Sequence, residues 1–417
     1  MILMKCVCHS LALCIKHAFE KLPSHIGFLL SEIPKWFSKS VIRRQDYKQL
    51  FATINDNSES SALPTPFQKF SQTRWLVRGK VIFNILVNWD ELKTYFSIAV
   101  QESDAERRFK ARLIFDMLQD PINKLYFNFM SPIVAEFERV NAFFQATNID
   151  PNEIVKELNL FYESLRGRVY KENGSKVEPD RVDYGAKYLF EAAALLRKAN
   201  NDADLSKRIQ EASSRCHSML LEAADQVGKR LPAAKDVFKP LAFLHPSSVL
   251  SQVGRASLLQ LPMEHLIEAD MSTLDDQYRK ILLINWASDA SFKDGVPNDA
   301  VEFWSVVYEH QNMLGNRPFA ELATYALACL TTPTSNAVIE RIFSHVTNVK
   351  TKPRNQMSSR MLEAIVRICT NLHFRGKCCK DFVPTENMFK LFNTSNMYKK
   401  STEENEECDE ELDLAQF

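Results

Sequence analysis

The sequence predicts a mostly α fold, and three observations carry that prediction. Only 10 glycines occur in 417 residues, too few for the turns of an all-β architecture. Apolar residues recur at spacings of three and four through most of the chain, the period of helices that bury one face. Thr334, Ser335 and Asn336, and again Ser358 and Ser359, offer side-chain oxygens to the free amides of a helix start just ahead of such apolar runs. At this length two or three structural units fit one chain.

The elements follow in order. A short extended lead-in, Ile2 to Val7, precedes a helix from Ser10 that carries Leu11, Leu13, Ile15, Ala18 and Leu22 and ends at Pro23. A second helical stretch runs from His25 through Trp36 and Phe37 toward Phe51, with a break or kink expected at Pro34. Polar and proline content marks residues 55–70 as a linker between a first segment, 1–54, and a helical domain, 71–240. That domain opens at Thr73-Arg74-Trp75, and Val81, Ile85, Trp89, Leu92 and Phe96 keep helix spacing. Further helices are predicted at 104–119, 121–145, 151–168, 184–199 and 203–229, with a mobile loop at Glu172 to Lys176. The chain turns at Phe238 to Pro246, and a C-terminal region, 241–392, follows with helices at 272–290, 297–314 and Phe319 to Leu330. The acidic end, 393–417, reads as a solvated tail.

Charge and cysteine usage narrow the function classes. Lys plus Arg equals Asp plus Glu, 52 each, so no global field draws the chain to nucleic acid or membrane. The nine cysteines lack the spacing of a secreted disulfide framework, which points to a reducing intracellular compartment. Lys16, His17, Glu20 and Lys21 interrupt the apolar N-terminal run before it reads as a signal peptide. No segment approaches the roughly 18 uncharged apolar residues of a membrane span. No phosphate loop, hydrolase elbow or kinase set is present, and no small-molecule substrate is expected.

The densest motif is Pro333-Thr-Ser-Asn-Ala-Val-Ile-Glu-Arg-Ile-Phe-Ser344, followed by Lys350-Thr-Lys-Pro-Arg-Asn355. A helix should start near Asn336, with Val338, Ile342, Val346 and Val349 as its stripe and Ile339 and Phe343 widening it. Pro353 ends the element, and a second helix carries Leu362, Ile365, Val366, Cys369 and Leu372. On periodicity alone this is an ordinary core hairpin. The basic loop with Lys350, Lys352 and Arg354 is a solvated turn or a phosphate contact and nuclear-import signal.

Two further words matter. Arg74-Trp75 has the pattern of a surface charge beside a buried ring. Cys6-x-x-His9 is half of a zinc site at most, since no second Cys/His pair completes four ligands. No bound metal is therefore expected.

Together, and in this order, the three words resemble the hAT superfamily of DNA transposases. The resemblance implies that residues 1–54 are a remnant of an RNase H-like fold with few strands. It implies that Thr73-Arg74-Trp75 opens the helical insertion, where the tryptophan stacks on an extruded base, and that the C-terminal region dimerises through Val338, Ile342, Phe343, Val346, Leu362, Ile365 and Val366. Arg74, Trp75, Lys350, Lys352 and Arg354 become the DNA-contacting candidates, and Cys6 and His9 match a family motif.

Glu340 would correspond to the third catalytic carboxylate. Such enzymes cut DNA with two divalent ions held by three carboxylates. Both family aspartates precede the Cys-x-x-His word, and only Met1 to Lys5 stand before it here. Glu340 is then vestigial, and Mg²⁺ enters only if aspartates lie upstream of this chain. The expected protein is nuclear, non-catalytic and self-associating, with DNA or chromatin proteins as further partners. The alternatives are a fragment of an active transposase or nuclease, or a protein with residual DNA-end binding.

Overall fold

The computed structural model describes residues 6–55, 78–101, 104–146, 151–199, 202–231, 238–286, 292, 295–331, 336–351, 354 and 357–393. It divides into two compact units, Met1–Ala337 and Val338–Phe417. The fold is mostly α. Among the described residues the only β pairing is an isolated bridge between Tyr170 and Lys176.

The first unit is built around one long helix. Helices α1 (Val7–Phe19), α2 (Ser24–Ser38), α3 (Val41–Asn55), α4 (Arg78–Val87), α5 (Trp89–Ala99) and α6 (Ala105–Gln119) lead into α7 (Pro121–Phe144). Asp120 starts α7 by accepting the Ile122 amide at 3.0 Å, with Pro121 at the first helical position, where no N–H is needed. Leu125, Tyr126, Phe127, Phe129, Met130, Ile133, Val134 and Phe137 are all buried, so apolar residues cover several faces of α7 and not one stripe. A helix of that kind sits inside. It packs against α1, α4 and α6, and against α8 (Pro151–Gly167), α9 (Ala186–Ala199) and α10 (Ala203–Arg230).

Residues 6–54 contribute to this core: α1 lies against α10 and α7, and α2 against α4 and α6. A single amphipathic helix has nothing of its own to cover Leu11, Cys14 and Ile15, so it takes cover from the long helices. The chain then continues through α11 (Pro246–Val249), α12 (Met271–Lys280), α13 (Ala300–Glu309) and α14 (Ala320–Leu330). Here the indole N–H of Trp304 donates to the Leu244 carbonyl at 2.8 Å. Gln277 accepts the Leu322 amide at 2.9 Å and donates to Glu321.

Helices expected at 104–119, 121–145, 151–168, 184–199, 203–229 and 319–330 fall where predicted, within two residues. Other expectations need correction. The lead-in is not extended as far as Val7: α1 begins there, because the Cys6 carbonyl takes the Ser10 amide at 3.0 Å and Val7 joins Leu11 on the buried face. Pro34 does not break α2. It lies inside that helix among buried Ile33, Trp36 and Phe37, and the break falls at Lys39 and Ser40.

The helix predicted over 272–290 stops at Lys280 and passes into a 3₁₀ turn, Ile281–Leu283. The Trp286 indole takes the Ile281 carbonyl at 2.8 Å, an acceptor that a continuing helix would offer to the amide four residues on. The helix predicted over 297–314 is shortened to Ala300–Glu309, where the Asp299 side chain caps it at the Glu302 amide and Asn312 gathers the Leu314 and Asn316 amides into a turn. The predicted loop at 172–176 forms a turn in which Lys171 N–H reaches the Ser175 carbonyl at 2.8 Å and Gly174 takes the positive φ of 79° the turn requires. The linker at 55–70 overlaps α3 at Asn55 and otherwise lies outside the described residues, as does the tail beyond 393.

The second unit contains α15 (Ala337–Val349), α16 (Ser359–Phe374) and α17 (Glu386–Leu391). Ser358 caps α16 at the Met361 amide, 3.3 Å, and Thr385 caps α17 at the Met388 amide, 3.3 Å. Among the described residues no helix of either unit is long and apolar enough to cross a membrane.

Candidate functional site

Two sequence words that lie 330 positions apart meet in the first unit. The Asn336 amide, at the head of the signature, points at the Cys6 sulfur at 3.5 Å. Cys6 occupies the cap position of α1, where the amides of Cys8 and His9 face its sulfur without closing a capping hydrogen bond. A side-chain hydrogen bond with Cys8, whose Sγ also reaches the Asn141 carbonyl at 3.8 Å, is the largest influence on the Cys6 thiol, and together with these amides it outweighs the opposing effect of burial. The Cys6 thiol is thereby held down to about 5. His9 is exposed on the first turn of α1. Among the described residues no three His, Cys, Asp or Glu side chains converge as a metal site.

The boundary between the two units falls inside the signature, after Ala337. From Val338 onward, α15 and α16 run with the rings of His345 and His373 at 6.5 Å between centroids. Ile342, Val346, Leu362, Ile365 and Val366 are half-buried. Ile339 (50% exposed), Phe343 (57%), Met361 (55%) and Ile368 (54%) stand out to solvent. Sequence reasoning placed Phe343 in the association set but missed Met361 and Ile368, which fall just off the predicted stripe. Helix spacing alone holds the signal: Met361 precedes Ile365 and Ile368 by four and seven residues.

The turn between α15 and α16 is closed by Lys350 N–H to the Val346 carbonyl at 2.8 Å and Arg354 N–H to the Thr351 carbonyl at 2.7 Å. Lys350 and Arg354 are exposed there. Lys352, Arg74 and Trp75 lie outside the described residues, and so do the side chains of Val338 and Glu340, although both belong to α15.

No family model matches the chain, and no curated protein matches it. Its function is therefore read from its own residues. What the second unit offers chemically is exposed apolar side chains on both helices, together with an exposed ion pair on α16, Arg367 with Glu363 at 2.6 Å.

Proposed function

We propose that this chain is a transposon-derived protein of hAT-transposase type, with an RNase H-like ancestry for its N-terminal segment. It acts by self-association through the helices of residues 338–374 and carries out no DNA cleavage of its own. The sequence words Cys6-x-x-His9, Arg74-Trp75 and Ser335 to Ser344 support the family reading. One structural observation supports the association: among the described residues from Val338 onward, none is buried. Helices with this apolar content gain most of their stability by covering it.

A second copy of the chain suits that face better than a charged partner. Ile339, Phe343, Met361 and Ile368 bring no charge to it, and a two-fold interface must match itself. Interfaces of this kind bury on the order of 800 Å² per partner. On this proposal the protein works in the nucleus at DNA or chromatin, with exposed Lys350 and Arg354 as phosphate contacts.

Light scattering on the full chain tests the association. The expected result is a dimer at micromolar concentration that Phe343→Asp weakens by about thirtyfold or more, the size of an interface hot spot, with the melting of the first unit unchanged. A wild-type monomer under those conditions contradicts the proposal.

A further inference from the structure

A cleft of about 480 Å³ opens in the first unit where the end of α2, the start of α3 and the start of α6 come together. Five cations line it: Lys35, Lys39, Arg43, Arg107 and Lys110. Three carboxylates, Glu32, Asp104 and Glu106, share the lining, which leaves a net charge of +2. Two of the carboxylates are already engaged. Glu32 lies between Lys35 at 3.0 Å and Lys110 at 2.9 Å, and Asp104 caps α6 at the Arg107 amide, 2.8 Å, with the Arg107 guanidinium a looser 3.9 Å from the same oxygen and free to turn to a ligand. Burial works against the charge on Glu32, yet hydrogen bonds from Lys110 and Lys35 hold its carboxyl below the usual range.

Arg43 is oriented as well. Its guanidinium stacks 3.7 Å from the ring centroid of Trp36 and donates to the Trp36 carbonyl at 3.5 Å. Trp36 is itself buried, with its indole N–H on Tyr95 Oη at 3.3 Å, so the platform beneath Arg43 is part of the core.

From this arrangement we propose that the cleft binds a small polyphosphate anion, with Lys39, Arg43 and Arg107 as principal contacts and Lys35 and Lys110 neutralising its outer charge. The volume lies in the range of pockets that enclose a small molecule and exceeds what a single phosphate fills. A nucleic-acid backbone is the weaker occupant, because the chain's net charge of zero supplies no wider positive field for a long phosphodiester to follow.

Titration calorimetry on the full chain at low salt, with tripolyphosphate as probe, tests the site. Saturable one-to-one binding is expected, weakened by about tenfold or more in the double reversal Lys39→Glu/Arg107→Glu, as loss of charge-assisted contacts requires. Both residues are exposed, and an unchanged melting curve shows that the variant folds. Parallel titrations with ATP and with inositol hexakisphosphate distinguish a nucleotide from a sugar polyphosphate as the source of the phosphates. The proposal is overturned if none of the three binds saturably. It is also overturned if the double reversal binds as the wild type does, or if a short DNA duplex binds these residues more tightly than tripolyphosphate.

Discussion

Helices α7 and α16 are both rich in apolar residues and capped by a side-chain oxygen, yet they end in opposite environments. In α7, Phe127, Phe129, Met130 and Ile133 are fully inaccessible, and among the described helices α1, α4, α6, α8, α9 and α10 pack against α7. In α16, Met361 and Ile368 remain more than half exposed, and Leu362, Ile365 and Val366 are only partly covered. Local sequence therefore forms the helix in both cases, while only the first unit supplies partners for its face. The difference teaches that the first unit is stabilised by packing among its own helices, whereas the second leaves apolar area exposed.

The largest expected effect separates the two units directly. Phe127→Ala opens a cavity in the core of the first unit and should cost about 3–5 kcal/mol in denaturant unfolding. Ile342→Ala, at a half-buried position of α15, should cost less than about 1 kcal/mol in dilute monomer. Equal losses at the two positions would break the contrast.

A smaller effect concerns Cys6 and its contact with Asn336 inside the first unit. Cys6 is held down to about 5 from an ordinary value of about 9, with the Cys8 thiol as the main cause and the Asn336 amide among the others. Because the folded value is the lower one, the thiolate's contribution to stability is complete above about pH 9 and is lost as the pH falls to about 5. Alkylation of Cys6 by iodoacetamide, followed by peptide mapping, should keep a nearly constant rate from pH 9 down to about 6, and Cys8→Ala should move its decline to higher pH. A rate that climbs steadily up to pH 9 in the wild type would show that Cys6 is an ordinary thiol.

Much of the helical plan was legible in the sequence, because Asp120, Asp202 and Ser358 cap where composition says a helix can start and the apolar period continues behind them. Helix ends were harder to read. The stop at Lys280 depends on the Trp286 indole competing for a carbonyl, and the survival of α2 across Pro34 depends on how deeply its neighbours are buried, neither of which a local pattern reports. For the candidate site, the stripe of α15 and its Phe343 could be read from spacing. The meeting of Cys6 with Asn336, and of Arg43 and Trp36 with the start of α6, joins residues far apart in sequence and follows only from the packing of the first unit.

Hydrogen exchange on the full chain over a range of protein concentrations tests the central claim most directly, because amide protection reports local opening in each unit separately. If the second unit is completed by a second copy, protection of residues 339–349 and 359–374 should rise with concentration while that of α7 and α10 stays constant. Concentration-independent protection in all four helices would contradict the account.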